Sequence, residues 1–226
     1  QWNDEYWHRF ENLLQLCNER DIIIQSEVWD RCDYSRDHWH ACPWRPANNI
    51  NYSNEETGFQ AEYPKHPASN VQPFFHSIPG MKKYNSKYDE FRIYQEKYVA
   101  KLLSYSLKFP NVLYCMNNET NTSPQWGQYW MRFIRDKAAE KGVPVFATDM
   151  FDDFWRGENS ENIKMVFDHP EVFDFIDISQ VNSRNIDQDH WDQLRWLHNR
   201  LEIPRPLNNT KIYGGENTSW GSGSNQ

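Results

Sequence analysis

What the chain lacks narrows its function first. No stretch of its 226 residues reaches the roughly 18 consecutive apolar residues of a transmembrane helix, so no membrane partner is expected. Basic residues are in deficit, with 24 Lys and Arg against 32 Asp and Glu and a net charge of −8. A nucleic acid wants the opposite balance and is not expected as a partner. Cys17, Cys32, Cys42 and Cys115 contain no CxxC pair, which removes zinc-ribbon spacing. Cys32 and Cys42 flank an aromatic loop, where a closing disulfide and two separate thiols both stay open. Cys17 on a helix face and Cys115 in a strand read as small buried hydrophobes. No signal peptide is visible at Gln1, and the chain starts as abruptly as a processed one; a secreted or periplasmic location is the expectation.

Aliphatic residues are scarce as well. Hydrophobic residues make up 38% of the chain, and the mean hydropathy is −0.95. Such values border on disorder unless another source of buried area is present. Aromatic residues supply it, with Trp 11, Tyr 12 and Phe 13 making 16% of the sequence. Large rings bury enough surface to build a core with few aliphatics. Trp and Tyr beside polar groups also suit a sugar, whose apolar C–H faces stack on rings.

Hydrophobic periodicity organises the rest. Trp7, Phe10, Leu13, Leu14 and Cys17 mark a helix over 5–20. The apolar run Ile22-Ile23-Ile24, turning polar through Gln25 and Glu27 to Trp29, reads as a strand of a parallel sheet buried on both faces. A long Pro-, Asn- and aromatic-rich connection fills 31–86; a connection of that length is usually functional or carries small elements of its own. Helices follow at 87–107, 124–141, 161–168 and 188–201, and strands at 111–116, 143–148, 173–179 and 211–215. Pro124 in a first turn and Gly142 beyond a last one frame the second of these helices.

Strands alternating with helices predict an α/β fold with a parallel sheet and right-handed crossovers. No strand is followed by the GxGxxG turn of a dinucleotide-binding sheet. Polar residues instead follow each strand: Glu27 and Asp30, Asn118 and Glu119, Asp149 and Asp152, Gln180 and Asn182, Glu216 and Asn217. A (β/α)8 TIM barrel gathers strand ends on one rim, and that fold is the expectation, as one domain over 1–226 with only part of its strands visible.

Two carboxylates stand out on this rim. Glu119 ends one buried strand after Asn117-Asn118, and Glu216 ends another after Gly214-Gly215. Glycosidic cleavage needs one carboxyl to protonate the leaving oxygen and a second to meet the oxocarbenium centre; at about 5–5.5 Å apart, the second attacks directly and configuration is retained. Rim acids also serve as helix caps and ion-pair partners, and spacing alone does not choose between these roles.

The segment Asn111-Val112-Leu113-Tyr114-Cys115-Met116-Asn117-Asn118-Glu119 resembles the fourth-strand motif of clan A of the retaining glycoside hydrolases, an apolar strand ending in an Asn-Glu pair. Ile212-Tyr213-Gly214-Gly215-Glu216-Asn217 resembles that clan's seventh strand, which ends in the nucleophilic glutamate. The strands at 143–148 and 173–179 fill the fifth and sixth places, so the chain would hold strands three to seven. By position the resemblance implies Glu119 as acid/base, Asn118 on the sugar 2-hydroxyl and Glu216 as nucleophile. It implies a poly- or oligosaccharide substrate and calls for no cofactor and no metal. The clan's second-strand Arg, sixth-strand Tyr or His and eighth-strand Trp have no counterparts here.

Trp29, Asp30 and Tyr34 past the third strand, Asp149 and Asp152 past the fifth, Gln180 and Asn182 past the sixth, and Trp220 beyond Glu216 are candidate substrate contacts. Trp39, Trp44, Tyr52, Phe59 and Tyr63 in the long connection are candidate sugar platforms or packing for that loop. Two rival functions remain: a non-catalytic carbohydrate-binding barrel, and a metal-dependent hydrolase using His38 and His40.

Overall fold

The computed structural model describes residues 2–180 and 188–211. Helix α1 (Asp4–Asn18) is opened by the Asn3 side chain, which accepts from the Tyr6 backbone N–H at 3.1 Å, with Asp4 and Glu5 in the first turn to complement the helix dipole. It buries Trp7 and Leu14. Trp7 stacks on Tyr105 of α4 (Asp89–Ser106), ring centroids 5.4 Å apart, and this contact docks the two helices. Helix α5 (Pro124–Ala139) begins with Pro124, and the chain leaves it through Gly142 at φ 67°.

Strand β1 (Ile24–Asp30) runs parallel to β2 (Val112–Asn118), in register from Ile24 opposite Val112 to Asp30 opposite Asn118. Strand β3 (Phe146–Thr148) continues the sheet on the other edge of β2. After α6 (Glu161–Asp168), β4 (Ile176–Asp177) pairs in parallel with β5 (Leu207–Asn208), with α7 (Gln188–Arg200) between them in the chain.

The expected eight-stranded barrel is not formed. Among the described residues there are five short strands in two small parallel sheets, ordered β1-β2-β3 and β4-β5, and neither sheet closes on itself. The break between the sheets has a local cause. The Asp174 N–H bonds the Ala147 carbonyl at 3.0 Å, but the return bond from the Ala147 N–H goes to the Asp174 carboxylate at 2.7 Å. A side chain has taken the place of a backbone acceptor, and Arg135 holds it there at 2.8 Å. Strand β3 is likewise shorter than expected, because 143–145 follow a left-handed glycine and contain Pro144, which has no N–H to give. The strand expected at 211–215 lies outside the described residues beyond Lys211; the strand observed, β5, comes earlier.

Residues 31–86 carry their own structure: 3-10 turns at Arg31–Tyr34, Pro46–Asn48, Pro67–Ser69 and Pro73–His76, and short helices α2 (Arg36–Ala41) and α3 (Asn54–Thr57). Ser53 and Glu56 form a reciprocal capping box on α3, and Gly58 ends it at φ 72°. Trp39, Tyr52, Phe59 and Tyr63 are buried, with Trp39 between Phe59 and Tyr63 and Phe59 against Phe91 of α4. These four are packing, not sugar platforms, and only Trp44 keeps part of its ring outside. All four cysteines are free thiols. Cys42 and Cys115 are buried, whereas Cys17 is only partly so. Among the described residues no helix is long and apolar enough to cross a membrane.

Candidate active site

Strand β2 delivers the key carboxyl. It is buried almost throughout, and at its end Glu119 adopts φ 52°, a left-handed conformation that a side-chain-bearing residue holds only at a cost of about 1–3 kcal/mol. The next residue clamps that geometry: Thr120 N–H bonds the Met150 carbonyl at 2.8 Å, and Asp152 N–H returns to the Thr120 carbonyl at 2.8 Å.

Among the described residues, two donors converge on Glu119 Oε1. Gln180 Nε2 lies 3.0 Å away and Lys211 Nζ 2.9 Å away. The same ammonium also donates to Asn118 Oδ1. The Glu119 and Lys211 side chains are 26% and 19% exposed, so the pair sits at an opening and not in the core. The structure therefore brings together Asn118, Glu119 and Gln180, three of the residues singled out in the sequence: Gln180 reaches Glu119 directly, and Lys211, which was not singled out, bridges Glu119 and Asn118.

Glu27 of β1 opens toward the same group. Crowding by protein atoms raises its carboxyl above the usual range, Lys211 pulls it down, and Asp177, Asp30 and Glu119 push it up again. Below it, Gln25 donates to Asp177 Oδ2 at 2.6 Å and accepts from Asn208 at 2.6 Å. Asp177 also accepts from the Ser179 N–H at 2.8 Å. The Glu119 and Glu27 carboxylates thus share the field of the Lys211 ammonium, and Asp177, held by Gln25 and Ser179, adds its charge beside Glu27.

A second layer supports β2 from behind. Asn117 donates to both oxygens of Asp149 at 2.9 and 3.0 Å and accepts from Trp126 Nε1 at 3.1 Å. Burial pushes the Asp149 carboxyl up to about 7, against the bonds from Asn117 and the Met150 N–H that lower it. Asp149 is fully buried and holds Asn117 in place, so it is not a contact for sugar hydroxyls.

Other expected contacts are also elsewhere. Trp29, only 2% exposed, lies within an aromatic cluster against Trp44, Phe74, Tyr98, Trp126 and Trp130; it is core because the helices on that face offer rings and no opening. Asp30 turns back to accept from the Cys32 N–H at 2.8 Å, capping the 3-10 turn. Tyr34 is buried against Phe74, and Asp152 pairs with the buried Arg31 at 3.0 Å. His40 pairs with Glu62 at 3.2 Å on the surface. Among the described residues no group of three or more His, Cys, Asp or Glu side chains could hold a metal ion. Asn182, Glu216 and Trp220 lie outside the described residues.

Sequence reasoning missed Lys211, Asp177 and Gln25. A polar triplet, Gln25-Ser26-Glu27, inside an otherwise buried strand was the available signal for the floor. Nothing local marked Lys211. The chain matches no family model, no curated protein and no solved structure.

Proposed function

We propose that the chain hydrolyses an O-glycosidic bond of a poly- or oligosaccharide by a retaining double displacement, with Glu119 as general acid/base. The observation that carries this reading is the convergence of Gln180 and Lys211 on Glu119 Oε1, immediately after a buried strand, with Glu119 itself held in a left-handed conformation. Strain at a solvent-facing carboxyl fixed by two donors is the kind of cost a protein keeps where a group must be aimed.

In this reading Asn118 addresses the 2-hydroxyl, an interaction that strengthens as the oxocarbenium ion develops. Glu216 is proposed as nucleophile on the resemblance alone. The Lys211 ammonium favours the ionised form of Glu119, the form that takes a proton from water when the glycosyl intermediate is hydrolysed. Protonating the leaving oxygen in the first half-reaction needs the neutral acid, the form that this ammonium disfavours.

The test is release of reducing ends from soluble polysaccharides and of phenol from aryl glycosides. Glu119→Gln is expected to lower turnover by about 10²–10⁴-fold with the fold intact; unaltered hydrolysis removes the assignment. The Glu119–Lys211 ion pair also favours a second reading, a carbohydrate-binding protein whose acid is held neutralised. Polysaccharide binding by the wild type with no reducing ends released identifies that case.

A further inference from the structure

Away from Glu119, a cleft of about 640 Å³ opens between the outer face of α4 and the segment around 43–52, with Trp2 at its edge. Its size falls in the range of roughly 300–1,000 Å³ typical of small-molecule sites. Tyr94, Tyr98 and Trp44 line it, each only partly buried. Trp29 packs against both Trp44 and Tyr98 and, on its other side, against Trp126. Through these ring contacts the cleft wall connects to Asn117, to which Trp126 donates.

We propose that this cleft is a second carbohydrate-binding surface, which holds a short stretch of polysaccharide apart from the carboxyl that would cut it. The proposal rests on the glycoside reading only for its choice of probes; the chemistry of the cleft is its own.

Three features of the cleft support a sugar. The wall combines partly exposed aromatic rings with exposed polar groups, and a sugar ring presents an apolar C–H face and a rim of hydroxyls to match both. In a chain of net charge −8, Lys97 is the only charged residue lining this cleft among the described residues. Its ammonium lies over one face of the Tyr94 ring, 4.9 Å from the centroid, where it can meet a hydroxyl or a uronate at that end of the cleft. At the lip, Ile50 is 102% exposed, an apolar side chain that gives the fold nothing.

The loop is also fixed before any ligand arrives. Asn48 Nδ2 bonds the carbonyls of His40 and Cys42, both at 2.8 Å. Asn49 Nδ2 bonds those of Pro43 and Arg45 at 3.3 and 3.0 Å. The Tyr52 hydroxyl donates to the Trp44 carbonyl at 3.1 Å. A wall already ordered by side-chain amides loses little entropy on binding. A purely apolar ligand would waste Asn51 and Lys97, and a nucleic acid would find a single cation.

Affinity electrophoresis through gels containing soluble mixed-linkage glucan or polygalacturonate tests the idea, in a Glu119→Gln background so that the matrix stays intact. Retardation by at least one polysaccharide is expected. Tyr94→Ala should weaken it about five- to tenfold, the loss of one stacking face, and Ile50→Ser by a smaller factor. Loss on Lys97→Ala in polygalacturonate alone would assign a uronate at that end. Ile50 touches no part of the core, so its variant decides the matter if Tyr94→Ala fails to fold. Absence of retardation, or equal retardation of folded Tyr94→Ala and Ile50→Ser, overturns the proposal. Hydrolysis by the wild type without cleft-dependent binding would leave Glu119 standing and this inference fallen; cleft-dependent binding without hydrolysis would do the reverse.

Discussion

Gly127 on α5 and Asp149 beyond β3 share one space: a Cβ built on residue 127 would stand 2.0 Å from the Asp149 Oδ2. The glycine is helical, so its conformation asks for no special freedom. It is there because the carboxylate that orients Asn117 fills the volume a methyl group would need.

Gly127→Ala should therefore destabilise the protein although alanine is the better helix former. Helix propensity would gain about 1 kcal/mol, and forcing a methyl group into a packed site costs about 1–3 kcal/mol. Urea denaturation measures the balance. Adding Asp149→Ala should restore part of the loss, a non-additive result expected of residues in contact. A Gly127→Ala protein as stable as the wild type would deny the contact.

Asp149 predicts a pH dependence. Burial raises its carboxyl from the ordinary 3.8 to about 7 in the folded chain. Between those values the folded state holds a proton that the unfolded state releases. Stability from this group is complete below the unfolded value and is lost as pH rises through about 7, a loss on the order of 4 kcal/mol. Asp149→Asn, which cannot ionise, should flatten this slope. Denaturation midpoints between the ordinary 3.8 and about 7 check it, and an unchanged slope there assigns the effect elsewhere.

Lys211→Met removes the ammonium 2.9 Å from Glu119 Oε1. An acid that has lost a neighbouring cation holds its proton to higher pH. If Glu119 donates the catalytic proton, the basic limb of the kcat/KM profile moves upward while the melting temperature changes little. A limb that stays in place would separate Lys211 from the acid.

Arg205 is a buried clamp: Nη1 donates to the Val166 and Phe173 carbonyls at 2.9 and 3.0 Å, and Nη2 to the Phe167 carbonyl at 3.0 Å. It satisfies the end of α6, whose last carbonyls have no partner within the helix. Arg205→Met should cost about 2–4 kcal/mol by stranding them, and Arg205→Lys should not rescue it, since one ammonium cannot reproduce the planar fork. Calorimetric melting of the two variants decides; wild-type stability in either contradicts the clamp.

The elements read most accurately from sequence were those whose signals are local. Pro124 and the apolar positions of 124–141 framed α5, and the runs around Ile24 and Val112 gave β1 and β2, the pair that holds Asn118 and Glu119. Trp29 shows the limit. Its place just past a polar-turning strand suggested a substrate contact, yet whether an indole meets sugar or other rings depends on Tyr98, Trp126 and Trp130, which come from distant helices. The sheet failed in the same way, because the Asp174 carboxylate took a ladder bond that strand periodicity assigns to backbone.

By itself the sequence determined the alternation of helix and strand, the aromatic character of the core and the placement of Glu119 at a strand end, since each follows from side-chain spacing over a few residues. Tertiary structure alone decided that five short strands form two small sheets, that Lys211 meets Glu119 across 92 residues of chain, and that Asp149 is buried against Gly127. Periodicity constrains neighbours along the chain. Which charges and volumes meet across it is set by packing, where one carboxylate oxygen or one missing Cβ changes the outcome.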